Sequence, residues 1–320
     1  MKKLIALFVI FMGIILLFTL KLCCPKDEAL NLSLNFANSE ILSKSISVKK
    51  VIIQKEVLIE NYFRYLDSVV DRYQTLTSYK LSEHLLVRAN PWIIDTLQNT
   101  DYYRMMAKDS FVYNQKKMIA LPMGNSIIIP DSTQAKTIFN AFNKTTIDIN
   151  IPEFKLRIYQ DSVRLFEFPI RVGRNEKKFL EMSGRVQDLK TKVGTGCIVN
   201  HVRNPRYVNP VNNHEYFVTK RDDNKLTKLP QIPFIETELN GLRHGQLIHP
   251  TTNPITLGKA YSNGCIGTKE ADAWVIYYYA PLQTEIDIRY DLDIVNEEGD
   301  TIVLKDIYGF NKDKLTTTNQ

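Results

Sequence analysis

Apolar and polar positions divide the chain into stretches of different character. Leu4 to Leu20 carries no charge and follows Met1-Lys2-Lys3, a run of about seventeen residues that is just long enough to cross a bilayer. Both a signal peptide and a membrane anchor fit such a run. Leu20-Lys21-Leu22-Cys23 lacks the small residues a cleavage site needs, so residues 1–22 are expected to be an uncleaved anchor. Lys2 and Lys3 then stay in the cytoplasm and the rest is exported. Cys23 and Cys24 suggest lipidation, but Lys21 and Leu22 stand where small residues would be needed. Residues 23–50 are polar, without period, and read as a linker.

From Ile52 the apolar residues Ile59, Phe63, Leu66, Val70 and Tyr73 recur every three or four. This predicts an amphipathic helix of about six turns, either a stalk or a face packed on the following domain. Between Tyr79 and Pro130 the pattern predicts short helical pieces broken at Asn90-Pro91 and Leu121-Pro122. Residues 51–145 are thus expected to form a helical accessory region.

At Thr146 the period changes to two. Ile147, Ile149 and Ile151 alternate with Asp148 and Asn150, then Phe154, Leu156 and Ile158 run to an Asp161-Ser162 turn, and Phe166, Phe168, Ile170 and Val172 continue beyond it. These are the marks of a half-buried antiparallel hairpin. Residues 200–240 are rich in Asn, Pro and Asp and predict a functional loop or lid. Ala271, Trp274, Val275 and Tyr278 are at helical spacing over 269–280, with Thr268 as N-cap. A strand over 284–290 and a hairpin about 296–300 close the domain, and Lys312 to Gln320 is expected to fray. The fold class is α+β: a mainly antiparallel β-sandwich over 146–305, behind the accessory region and the anchor, with 306–320 as a tail.

Composition changes this picture little. The chain is 44% hydrophobic and 24% charged, ordinary globular usage. The net charge of +6 invites a nucleic-acid reading, but no Lys/Arg run exceeds two residues, and an exported chain meets an anionic envelope instead. Four cysteines, two beside the apolar run, do not make a disulfide framework, and Cys197 is the one that could pair with another. His201, His214, His244 and His249 lack the tight spacing of zinc ligands, so no metal or other cofactor is implied.

The candidate chemistry lies between His249 and Cys265. A thiol attacks as thiolate, and a nearby imidazole can hold its proton. Pro250, Asn253, Pro254 and Gly258 let the intervening segment fold back. A cysteine just ahead of a helix would also lie in the field of its positive end. His244 and His249 are five apart, so in a strand they face opposite sides and only one readily points at Cys265.

His249-x-x-x-Asn253-Pro254, Leu257-Gly258-Lys259-Ala260 and Ser262-x-Gly264-Cys265-Ile266 together resemble the active-site signature of the bacterial L,D-transpeptidase catalytic domain. The hairpin phrases Ile151–Tyr159 and Phe168–Gly173 resemble that domain's opening. Gly194-Thr195-Gly196 stands at its Thr-Pro-x-Gly turn without the proline. Gly124–Pro130 is similar to the close of a lysin-motif module.

The resemblance implies that Cys265 is the acylated nucleophile and His249 its general base. Ser262, Asn263 and Gly264 would shape the turn, with amides of Gly264 and Cys265 as oxyanion donors. Pro250 replaces a common glycine, but its carbonyl could still orient the imidazole through Nδ1–H. Asn263 stands where histidine or lysine is frequent, and Gly267 where arginine is common. His244, Arg203, Arg206 or Arg221 is then left to bind the anionic substrate. The implied function is transfer of peptidoglycan stem peptides through a thioester, with sensitivity to carbapenems. Alternatives are an L,D-carboxypeptidase using water, a non-catalytic cell-wall-binding protein, and an exported cysteine protease.

Overall fold

The computed structural model describes residues 49–310 except 182–183, 210–211 and 297. The expected anchor, nearly all of the linker, and the fraying end lie outside the described residues. Among the described residues, no helix is long and apolar enough to cross a membrane.

From Thr145 onward the chain is built on one eight-stranded sheet. Its strands in chain order are β1 (Thr145–Asn150), β2 (Lys155–Gln160), β3 (Val163–Pro169), β4 (Gly194–Val202), β5 (Phe234–Leu239), β6 (Leu247–Pro250), β7 (Ile266–Thr268) and β8 (Glu285–Arg289). They lie side by side as β7-β6-β5-β4-β8-β1-β2-β3. Only β6–β7 and β8–β1 run parallel. The alternation read at Thr146 therefore appears as β1–β2–β3, with Asp161 at φ 52° in the turn between the last two. The expected two facing sheets are replaced by this single mixed sheet and several two-stranded ones. One of the latter is the closing hairpin Asp293–Val295 with Thr301–Val303.

Six helices accompany the sheet among the described residues: α1 (Tyr62–Gln74), α2 (Glu83–Arg88), α3 (Trp92–Gln98), α4 (Tyr102–Met106), α5 (Ser132–Asn143) and α6 (Glu270–Tyr279). The six-turn helix expected from Ile52 is shorter and starts later. Lys50–Ile52 pairs with Ser126–Ile128, and Val57–Leu58 pairs with Ile119–Leu121, which claims the first apolar positions for strands.

The α6 helix is apolar on every side, so it must be enclosed on every side. One side lies on β6, and the others are covered by α2 and α3. Trp274, Ile276, Tyr277 and Tyr278 are all essentially inaccessible. The accessory region is therefore a packed layer over α6, the second of the two arrangements its periodicity allowed. Tyr62 of α1 and Tyr278 of α6 join hydroxyl to hydroxyl at 2.6 Å. Glu83 of α2 accepts from Tyr278 at 2.7 Å and Tyr277 at 3.3 Å, and from Arg203. A buried carboxylate is tolerated when donors surround it in this way.

In the same layer His84 and His201 stack with ring centroids 5.1 Å apart. Burial pushes His84 down to about 3 and His201 down to about 4. Both stay neutral in the folded state while the unfolded chain takes up protons below about 6.5. Stability is therefore expected to fall as pH is lowered from about 6.5 towards 4, by about 2 kcal/mol per histidine at pH 5. Burial raises Glu83 and Glu270 and so opposes this trend. The comparison that isolates the histidines is the slope of Tm against pH in a His84→Asn/His201→Asn double variant. That slope should be flatter than in wild type, and equal slopes would contradict the assignment.

Candidate active site

The β6–β7 register sets Ile248 opposite Ile266, His249 opposite Gly267 and Pro250 opposite Thr268. Ile248 and Ile266 are buried. Alternation puts His249, Gly267 and, one step back, Leu247 and Cys265 on the other face. Pairing of two short parallel strands at the sheet edge thus places His249 and Cys265 on the same face. The fifteen residues of sequence between them are the connection.

The imidazole is oriented by its own strand. Nδ1 lies 2.9 Å from the Pro250 carbonyl oxygen. A carbonyl can only accept, so Nδ1 carries the proton and Nε2 presents a lone pair. Burial pushes His249 down to about 4, opposed by the Pro250 carbonyl and assisted by Arg171. The ring packs against Phe234 on β5, with centroids 5.0 Å apart.

Cys265 is a free thiol, and Cys197 is disulfide-bonded, so the two do not pair with each other. Burial pushes the Cys265 thiol up, while the Leu247 backbone and Arg171 pull it down. The expectation that a helix N-terminus activates the thiol is corrected here. β7 intervenes, α6 begins only at Glu270, and its N-cap is Lys269. Thr268 does not cap it, and its hydroxyl donates to the Lys269 carbonyl at 3.1 Å.

The turn before the cysteine is pinned from several directions. Ser262 Oγ donates to the Cys265 carbonyl at 2.5 Å and accepts from the Gly264 amide at 3.2 Å. Gly264 has φ +114°, which only glycine adopts without strain. Its carbonyl accepts from Thr191 Oγ1 at 3.0 Å. Thr191 in turn donates its amide to Tyr308 Oη, which donates to the Gly173 carbonyl at 2.7 Å. The segment assigned to a tail thus contains Tyr308, only 3% exposed, which braces the turn. Asn263 is exposed and accepts from Arg174 at 2.6 Å.

The arginines proposed for substrate contact are committed elsewhere. Arg203 pairs with Asp67 and Glu83, Arg206 with Glu215, and Arg221 with Glu270 and Thr227. His244 is exposed in the loop before β6, outside the strand. In place of these, the structure brings Arg171 to the site. Its backbone bridges Gly267 in both directions, at 2.9 and 3.0 Å, and its side chain lies across Gly267. A Cβ added at Gly267 would sit 2.6 Å from Arg171 Nε and 2.7 Å from Cγ. Sequence reasoning missed Arg171 because it alternates with the apolar Ile170 and Val172, the signature of an ordinary solvated strand position.

The 200–240 segment folds as a hairpin, Val218–Lys220 with Leu226–Lys228, held to the accessory region. Lys228 donates its amide to the Tyr113 carbonyl at 2.8 Å, and Tyr102 Oη donates to Asp223 at 3.0 Å. Tyr103 Oη donates to Asp222 and to the Thr252 carbonyl, the latter at 3.2 Å, just past the histidine strand. Asp101 accepts from Tyr103 at the start of α4 and also from the Ala271 amide at the start of α6. The accessory region thereby braces both the 218–228 hairpin and the first turn of α6.

Residues 144–288 match the YkuD family, the L,D-transpeptidase catalytic domain. The match covers a little under half of the chain. Solved structures similar to this chain include an L,D-transpeptidase from Mycobacterium smegmatis, at 14% identity and TM-score 0.31 over 46% of this chain and 58% of that one. L,D-transpeptidase 3 from Mycobacterium tuberculosis, in complex with a faropenem-derived adduct, is 16% identical over 46% of this chain and 60% of that one, with TM-score 0.31. The catalytic domain from the E. faecium L,D-transpeptidase is 14% identical over 45% of this chain and 96% of that one, with TM-score 0.29. The chain thus spans about six-tenths of the length of the mycobacterial structures. No curated protein matches the chain. The matched segment begins one residue before β1 and ends inside β8, so it contains Arg171, His249, Cys265 and the 218–228 hairpin.

Proposed function

We propose that this chain is an exported peptidoglycan L,D-transpeptidase that works through a thioester on Cys265. The observation that carries the reading is the His249–Pro250 hydrogen bond of 2.9 Å, which leaves Nε2 unprotonated on the face that carries Cys265. The thiol proton passes to Nε2 as sulfur attacks the carbonyl after the L-centre of a stem tetrapeptide. The Cys265 amide is the oxyanion donor, since the Gly264 amide is already given to Ser262. Collapse of the tetrahedral adduct breaks the C–N bond, and the leaving D-residue takes its proton from His249. An incoming amine reverses these steps and forms the cross-link. Residues 1–22 hold the enzyme on the outer face of the cytoplasmic membrane, and no cofactor takes part.

Intact-mass analysis of the protein with a carbapenem is the direct test. One adduct is expected on wild type and none on Cys265→Ala. A folded, reduced wild-type protein that takes no adduct would remove the enzyme reading in favour of a wall-binding protein.

A further inference from the structure

Three of the guanidinium groups removed from solvent are matched by carboxylates, Arg221 by Glu270, Arg203 by Glu83 and Arg157 by Glu153, and a fourth, Arg88, lies 3.6 Å over the Tyr279 ring. Arg171 has neither kind of partner among the described residues. No carboxylate lies within salt-bridge distance of it among the described residues. Its Nε–H is buried without a hydrogen-bond partner, and its Nη1 reaches only Thr256 Oγ1, at 3.4 Å. An unpaired buried cation is costly and persists where an anion forms beside it. The surrounding ionisable groups leave one candidate anion. On β6 there is His249, neutral through burial. On the segment after β3, Arg174 is a second cation, turned to Asn263 and Glu176. On the loop behind the turn, Lys190 lies over the Phe310 and Tyr308 rings, and Asp188 accepts from the Lys190 amide. The remaining group is Cys265, two positions before the Gly267 that the Arg171 side chain crosses, where the guanidinium favours the thiolate form.

We propose that Arg171 is the counter-ion of the Cys265 thiolate, and that position 267 is glycine so that this guanidinium can lie across the nucleophile strand. The inference rests on the thioester reading above and deepens it by stating what stabilises the sulfur once its proton has gone. It also separates two designs. Where an imidazolium balances a thiolate, removing the histidine raises the thiol pKa. Here one fixed cation favours thiolate and disfavours imidazolium, so the histidine stays a free base while the sulfur is stabilised from the opposite side. Arg171 is thus a positioning residue, and its signature is electrostatic.

The test is the pH dependence of iodoacetamide alkylation at Cys265 in the full chain, read by peptide-resolved mass spectrometry. Arg171→Gln is expected to move the thiol profile upwards, with at least a tenfold lower alkylation rate near neutral pH, about one pKa unit. Arg171→Lys keeps the charge and should restore most of the rate, whereas His249→Gln should leave the profile where it is. Gly267→Ala should shift it in the same direction as Arg171→Gln by pushing the guanidinium aside. It provides the reading even if Arg171→Gln does not fold. An unmoved profile in Arg171→Gln, or in Gly267→Ala where Arg171→Gln does not fold, overturns the proposal, as does an upward shift on loss of His249. Alkylation needs no stem peptide, so an Arg171-dependent profile in a protein inert towards muropeptides would remove only the transpeptidase reading.

Discussion

Acylation of Cys265 by a carbapenem is expected to slow by roughly 10²–10⁴-fold in His249→Gln, the range over which a positioned acid–base group contributes. Glutamine keeps the size and a donor for the Pro250 carbonyl but cannot accept the thiol proton and hold it. The wild-type pH profile should carry the same mark. The folded pKa of His249 is depressed to about 4, so the base remains available well below the ordinary histidine range. Activity should then fall on the acid side near pH 4 and not near 6.5. Burial raises the thiol, and the two groups rest as thiol and neutral imidazole, not as a preformed ion pair. Stopped-flow acylation rates between pH 3.5 and 8 would decide this, and an acid limb at the usual histidine value would count against the buried, carbonyl-held imidazole.

Glu270→Ala is expected to destabilise the protein by about 3–5 kcal/mol, the usual cost of removing one member of a buried pair. Arg221 and Glu270 are 2% and 1% exposed at their side chains. Glu270 also accepts from the Tyr102 amide at 2.9 Å and so joins the 218–228 hairpin, α4 and the first turn of α6. Its removal leaves Arg221 charged, buried and paired only with Thr227. Urea denaturation should show the loss, and an Arg221→Met/Glu270→Met double variant should recover much of it. If Glu270→Ala costs no more than an exposed pair, about 1 kcal/mol or less, the hairpin is not held by this contact.

What the sequence made legible was local. Period-two alternation is imposed by each strand's own half-buried face, so β1, β2 and β3 could be read directly, and the His249–Cys265 segment was readable because its residue types are dictated by chemistry. What could not be read depended on partners far away. The α6 helix looked amphipathic at Ala271, Trp274, Val275 and Tyr278, yet Ile276 and Tyr277 are buried too, under helices some 170 to 190 positions earlier. The strands at Lys50–Ile52 and Val57–Leu58 took residues that helical spacing had claimed. Arg171 was invisible for the same reason: only the pairing of its backbone with Gly267 carries its side chain to the nucleophile. Arg203, Arg206 and Arg221 were more conspicuous in the sequence and are ordinary ion-pair partners.

Asp101 closes the first turn of α6 across 170 positions of chain, and Tyr308 braces the cysteine turn from beyond the family-matched segment. A ribosome delivers the first of these residues long before the second. The surroundings of Cys265 are therefore completed only once Tyr308 has been made, and a translation product that stops short of it carries the cysteine turn without its brace.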